Sequence, residues 1–413
     1  VKLSTTYEVI SGDSLEIIAR KVYGSELEAD NIRRANSGVT EPLTTGTSLT
    51  IPPLAGAPTN RPSSAPSDNI NEVALSIDGD RFRFWENIRI SLSIDKFSTI
   101  DFSAPFEHTA AGFKERFSPL SYKPTQILVE GEPLFTGTIL PVSPVLAPGK
   151  KTVSVSAYAT PGVLGDCPSP ANAFPLEFNG QNLTEIATTL AKPFGVDVAI
   201  VGSAGANFAR VNQKTGDKVL SFLTGLAKQR GLLITDDALG KLLIWTAKTT
   251  APPVAILKQG ESPLISVTPT IAPQQFYSHI TGIEPTRSGS TGSKFTVKNP
   301  HLNGVVRPFS FTVSDTKNSD LKQAVNAKMG RMFGDAVSYS VAVSTWRTPA
   351  GKLWGKGDII ELTAPDAMVY SPYKFIIRDI ELNKTSTTES AVLTVTLPEA
   401  YSGEIPEVMP WDL

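Results

Sequence analysis

Cysteine is nearly absent from this chain of 413 residues, with Cys167 standing alone. One thiol excludes an intramolecular disulfide and a thiolate-rich metal site, so the chain suits folding in a reducing cytosol. Histidine is almost as scarce. His108, His279 and His301 are isolated in sequence, and none falls into His-Glu-x-x-His or another tight ligand spacing. Neither a metal site nor a cofactor is therefore assigned. No apolar run approaches the roughly 18–20 residues of a membrane span, and VKLSTTYEVIS at the N-terminus has no apolar segment of the kind that Sec export needs. An excess of one charge is missing too. The 38 Lys+Arg against 40 Asp+Glu leave a net charge of −2, which excludes a global electrostatic case for sequence-specific nucleic-acid binding.

Glycine and proline are generous, at 31 and 32 residues, as in a turn-rich, β-dominated protein. The length fits two to four domains. In YEVISGDSLEIIARKVYG (7–24), Asp13 is expected to cap a helix, with Glu16 completing a capping box. Leu15, Ile18, Ala19 and Val22 then fall on one apolar face, and Gly24 supplies the stop. A second helix is expected to end near Asn36, and GTSLTIPP (46–53) reads as a strand halted by Pro52 and Pro53. The result is a βααβ module over 1–53. Residues 54–69, with Pro58, Pro62 and Pro66 and few bulky apolar residues, read as an extended linker.

Past residue 70 the period changes to two. NIRISLSID alternates Ile88, Ile90, Leu92 and Ile94 with polar residues, and QILVEGEPLFTGTIL reads as a hairpin turned at Glu130-Gly131. Residues 70–165 are thus expected to form a first β-barrel-like domain. From 166 to 250 the pattern is α+β. One helix is capped near Asn182 and broken by Pro193, a second is capped by Asp217 and stopped by Gly231, and a hairpin turns at Asp236-Asp237. Strands return over 251–401, interrupted by one helix, as a second barrel-like domain. The fold class is therefore a β-dominated, multidomain α+β protein. Residues 402–413 look like a tail with no partner of its own, in which Met409 and Trp411 would dock on a neighbour or fold back.

No catalytic residue emerges. Cys167 lies in GDCPSP without a cue for a partner histidine, so an incidental thiol is the simpler reading. Asp236 and Asp237 are explained by turn chemistry, and SGSTGSK (288–294) lacks the P-loop pattern. The basic residues Arg210, Lys214, Lys218, Lys228 and Arg230 read as the solvated side of a helical layer that could also face an acidic partner.

YEVISGDSLEIIARKVYG…NIRRAN…LTTGTSLTIPP resembles a LysM module. That resemblance implies a glycan-binding groove for N-acetylglucosamine polymers beside Gly12, Asp13 and Ser14, although the fold alone would ask for the same letters. The body, in ILVEGEPLFTGTI, TPGVLGDCPSP, GQNLTEIATTLAKPFGVDV, GDKVLSFLTGLAKQRGLLITDDALGKLLIW, LWGKGDIIEL and LPEAY, is similar to the baseplate hub proteins of contractile-tailed phages, the Mu-like and late-control-D-like group. The resemblance implies a non-enzymatic protein, assembled in the host cytoplasm and carried in the virion. It implies a homotrimer acting as symmetry adaptor between tail tube protein and tail spike, among other baseplate proteins. Two alternatives stay open: a cell-wall protein presenting the LysM module to peptidoglycan, and a peptidoglycan hydrolase.

Overall fold

The computed structural model describes residues 5–9, 13–23, 29–40, 42–51, 71–109, 112–148, 150–284, 292–313, 318–385 and 387–412. Gly12, Gly24, Pro52, Pro53 and the expected linker at 54–69 lie outside them. The chain divides into two compact units, 1–69 and 70–413.

The first unit runs β1 (Thr5–Glu8), α1 (Leu15–Tyr23), α2 (Ala29–Ala35) and β2 (Ser48–Ile51). β1 and β2 pair antiparallel from Thr5↔Ile51 to Glu8↔Ser48. Leu15, Ile18 and Ala19 meet Ile32, Leu49 and Ile51 in a small core, as the apolar spacing requires. The cap differs from the expectation. α1 starts at Leu15, so Ser14 stands at the N-cap and accepts from the Ile17 N–H at 3.3 Å. Asp13 comes one residue too early to cap, and its carboxylate accepts from the Tyr7 hydroxyl at 2.9 Å. Asn36 fastens the end of α2 to β2: it donates to Ile32 and Thr50 carbonyls at 2.8 and 2.7 Å and accepts from the Thr50 N–H at 2.8 Å.

The second unit opens with β3 (Val73–Ile77), β4 (Asp80–Phe82), β5 (Asn87–Ser93), β6 (Thr99–Pro105), the turn α3 (Phe113–Arg116), β7 (Pro124–Val129), β8 (Glu132–Ala147) and β9 (Lys150–Ala159). β7 and β8 form the expected hairpin. Glu130 and Gly131 both take positive φ, 52° and 87°, the backbone a two-residue hairpin turn needs.

The middle region holds α4 (Val163–Asp166), β10 (Glu177–Gln181), α5 (Leu183–Ala191), β11 (Val198–Val201), β12 (Phe208–Asn212), α6 (Val219–Gln229), β13 (Leu233–Asp236) and β14 (Leu242–Trp245). Leu183, Ile186 and Leu190 of α5 pack with Val219, Leu223 and Leu226 of α6 over β14. The α5 capping box is complete: Asn182 Oδ1 accepts from the Glu185 N–H at 3.0 Å, and Glu185 Oε2 accepts from the Asn182 N–H at 2.8 Å. The α6 cap is a correction. Lys218 occupies the N-cap with no side-chain bond, and Asp217 belongs to the turn before it.

Last come β15 (Ala255–Lys258), β16 (Leu264–Ile271), β17 (His279–Ile283), β18 (Lys294–Lys298), β19 (Pro308–Thr312), α7 (Asn318–Ala336), β20 (Val337–Val343), β21 (Ile359–Ala364), β22 (Val369–Thr385), β23 (Glu389–Thr396) and α8 (Glu399–Ser402). The two β-rich stretches are not independent sheets. β22 pairs with β21, β23 and, from Asp379↔Ser93 to Thr385↔Asn87, with β5, so one sheet of 13 strands runs through both. The join is chemically matched on both faces. Ile90 and Leu92 lie opposite Leu382 and Ile380 on the core side. Outside, the Ser93 hydroxyl donates to Asp379 at 2.6 Å and Arg89 pairs with Glu381.

Candidate functional site

The described residues singled out in the sequence are engaged within their own units. Gly12 lies outside the described residues, Asp13 is held by Tyr7, and Ser14 is engaged as the α1 cap. Met409 and Trp411 are not freely displayed either. Met409 is buried and Trp411 packs partly buried against the main core. Tyr373 donates its hydroxyl to the Val408 carbonyl at 3.1 Å, and His301 Nε2 lies 2.6 Å from the Pro406 carbonyl. The tail therefore has a partner after all, its own domain. A chain cut at 403 would uncover that core instead of releasing a docking arm.

The titratable groups have structural employment. His108 stacks on Phe106, His279 Nδ1 lies 3.0 Å from the Ser278 hydroxyl, and His301 sits edge-on to Phe333. Among the described residues no group of three or more His, Cys, Asp or Glu is placed to hold a metal. None of their helices is long and apolar enough to cross a membrane. Cys167 is a half-buried free thiol.

Asp236 and Asp237 separate in role. Asp237 does what turn chemistry asks, accepting from the Leu239 and Lys241 N–H groups at 3.0 and 2.8 Å. Asp236 is instead buried, and Oδ1 accepts from the Ser98 N–H at 2.7 Å. The Lys356 ammonium donates to the Asp236 carbonyl at 2.7 Å and to the Thr235 hydroxyl at 2.8 Å, with Asp236 Oδ1 at 3.7 Å. Burial pushes the Lys356 pKa below the ordinary lysine value, while Asp236 pulls it back up. This cluster clamps β13 of the α+β region to the loops before β6 and β21.

A second cluster unites the ends of the long sheet. Glu389 accepts from the Asn71 N–H and side-chain amide at 2.9 and 3.0 Å, and from Lys384 at 3.3 Å. Arg347 reaches Asn71 Oδ1 at 2.6 Å and Glu130 at 2.9 Å. Sequence reasoning passed over four of the five and read Glu130 only as a turn residue, because each is an unremarkable polar letter until the fold brings it together with the others.

The basic residues split as well. Arg210 pairs with Glu177 at 3.1 Å. Arg230, expected on a solvated side, is buried, with its guanidinium 4.0 Å from the Phe208 ring centroid and Nε donating to the Ala206 carbonyl at 3.2 Å. Lys228 stays exposed on α6 and faces α7 across a cleft of about 560 Å³. Lys328, Arg331, Phe309 and Tyr401 also line that cleft.

Beside it, Glu399 at the start of α8 is a poorly satisfied carboxylate. Its Oε2 is buried without a hydrogen-bond partner, and burial, with Glu404 nearby, raises its pKa. A carboxyl whose folded pKa is raised contributes stability below its unfolded pKa and loses it as pH rises through the folded value. Glu399→Gln is therefore expected to stabilise the protein at pH 7.5 by under about 1 kcal/mol, given the side chain's partial access to water, and so to raise the Tm. The gain should vanish near pH 4, as thermal melts across that range would read.

Residues 161–246 match the family described as baseplate hub protein gp44-like, second domain. The matched segment spans α4 to β14, the α+β region between the β-rich stretches. The chain is similar in fold to the 43 kDa tail protein of prophage MuSo2 from Shewanella oneidensis, at 24% identity and TM-score 0.68 over 80% of this chain and 99% of that one. It is similar to the tail protein from Neisseria meningitidis MC58, at 19% identity and TM-score 0.68 over the same shares. A third likeness is an Escherichia coli type VI secretion component described as resembling the T4 tail proteins gp27 and gp5, at 11% identity and TM-score 0.50 over 82% and 78%. No curated protein matches the sequence. The fold is that of phage tail proteins.

Proposed function

We propose that the chain is a structural baseplate hub of a phage or phage-derived tail, three copies of which form a ring between a six-fold tail tube and a three-fold spike. The observation that carries this reading is the hub-domain match over 161–246, and the fold shared with prophage tail proteins supports it. A three-fold interface cannot match six equivalent sites unless each subunit offers two similar edges. In this reading the β-rich stretches 70–165 and 251–401 are those two barrel-like elements, with 166–250 between them. Residues 1–53 are a LysM-like module making an assembly contact, on a linker over 54–69. The protein folds in the host cytoplasm, is carried in the virion and catalyses nothing. Its buried polar clusters suit that role, because they hold elements in fixed relation. Native mass spectrometry of the protein with its cognate spike is expected to give three copies per spike trimer. A stable two-fold dimer, or six copies, would exclude the adaptor.

A further inference from the structure

The cleft between α6 and α7 has features that neither the ring nor the hub match accounts for. One border is β19, the outer strand of the three-stranded sheet β18–β17–β19, whose far edge has no ladder partner among the described residues. Within β19, Phe309, Phe311 and the neighbouring Thr312 line the cleft, with Val313 just past the strand's end. Successive side chains of a strand point to opposite faces, so Phe309 and Phe311 offer one face while the adjacent Thr312 brings the edge of β19 to the cleft at its C-terminal end. An open edge presents unpaired N–H and C=O groups, ready for another strand.

The opposite wall is cationic. Lys328 and Arg331 are three apart on α7 and so share a face, and Lys228 approaches from α6. None of the three forms an ion pair with a described residue; Arg331 donates only to the Leu232 carbonyl, at 3.4 Å. Burial, with Lys228 and Arg331 close by, holds the Lys328 ammonium below the ordinary lysine value, although Asp335 acts the other way. An anion in the cleft would relieve that crowding. The Lys328 ammonium also lies 5.1 Å from the Phe309 ring centroid, so charged and apolar surface alternate there.

We infer that the cleft receives an extended acidic segment of a partner protein, which adds as a fourth strand on the open edge of β19 and sets carboxylates against Lys228, Lys328 and Arg331. The backbone ladder would supply affinity and the three cations selectivity, as in other strand additions. Nucleic acid fits less well. Asp95 and Asp335 interrupt the basic surface of the same cleft, so a polyphosphate would lack the continuous basic track it asks for, whereas a strand with carboxylates on alternate residues needs only the three separate cations.

The test uses the full chain and a fluorescein-labelled peptide alternating glutamate and valine, read by anisotropy at low salt. Saturable binding is expected, weakened at least about tenfold in Lys228→Glu and separately in Lys328→Glu, and abolished when alternate peptide amides are N-methylated. Lys228 is exposed, so its variant should melt like the parent and keep the result interpretable even if Lys328→Glu unfolds. No saturable binding overturns the inference. So does equal binding of a lysine–valine peptide, or unchanged affinity in the Lys228 variant. Tighter binding of a single-stranded oligonucleotide, displaced by neither peptide, would reassign the cleft to nucleic acid.

Discussion

Alanine at Gly330 is expected to destabilise the protein by about 2 kcal/mol, and alanine at Gly225 to stabilise it by up to about 1 kcal/mol. Both glycines lie inside helices, α7 and α6, where propensity alone favours alanine. The difference is what a Cβ would meet. At Gly225 there is nothing within 4 Å. At Gly330 it would sit 2.4 Å from the Glu399 carbonyl oxygen and 3.0 Å from Gly403 Cα. Those are backbone atoms that cannot swing aside, so α8 must move. Gly334, one turn on, repeats the constraint with a Cβ position 2.5 Å from Ala400 Cβ. α7 and α8 thus touch backbone to backbone, and overpacking outweighs the helical gain. Urea unfolding of the two single variants checks the sign of each. Gly330→Val should cost more than Gly330→Ala, because its branches crowd the same atoms.

Asp236→Ala is expected to cost about 3 kcal/mol, since it leaves Lys356 buried without its nearest carboxylate. The deficit has a pH signature. Burial already holds the Lys356 pKa below that of free lysine, and losing Asp236 would lower it further. Between the folded and unfolded lysine values the unfolded chain binds more protons, so the stability of the variant rises with pH. The gap from the parent should therefore narrow as pH climbs toward about 10. Replacing the pair by Asp236→Leu with Lys356→Met should recover part of the loss, because no buried charge is left unpaired, while the Ser98 N–H still loses its acceptor. Denaturation of the parent and the two variants at pH 7 and 9.5 checks both claims. A deficit that stays constant with pH would assign the effect to packing alone.

Local instructions were legible wherever one stretch of chain carried its own partners. The hairpin at Glu130-Gly131, the α5 capping box at Asn182 and Glu185, and the two-residue period of β5 are all written in neighbouring letters. The physical reason is that turn dihedrals, caps and amphipathic faces act within about one helical turn. Caps set by a one-residue difference in helix start were less legible, as Asp13 and Asp217 illustrate. Asp13 and Ser14 would each suit a cap, whereas α6 starts after Lys218, which caps with no side-chain bond, so only the actual first turn decides.

Tertiary structure alone decided what joins distant stretches. It made the two β-rich regions one sheet through β22 and β5, turned Asp236 from a turn residue into a buried clamp on Lys356, and folded Met409 onto its own core. It also buried Arg230 against Phe208 and left Lys228, Lys328 and Arg331 to gather round a cleft. Each outcome depends on contacts between residues far apart in sequence, such as the 318 positions separating Asn71 from Glu389. A side chain's type fixes which bonds it can make. Its burial and its partners, which determine the energy of those bonds, exist only once the chain has closed on itself.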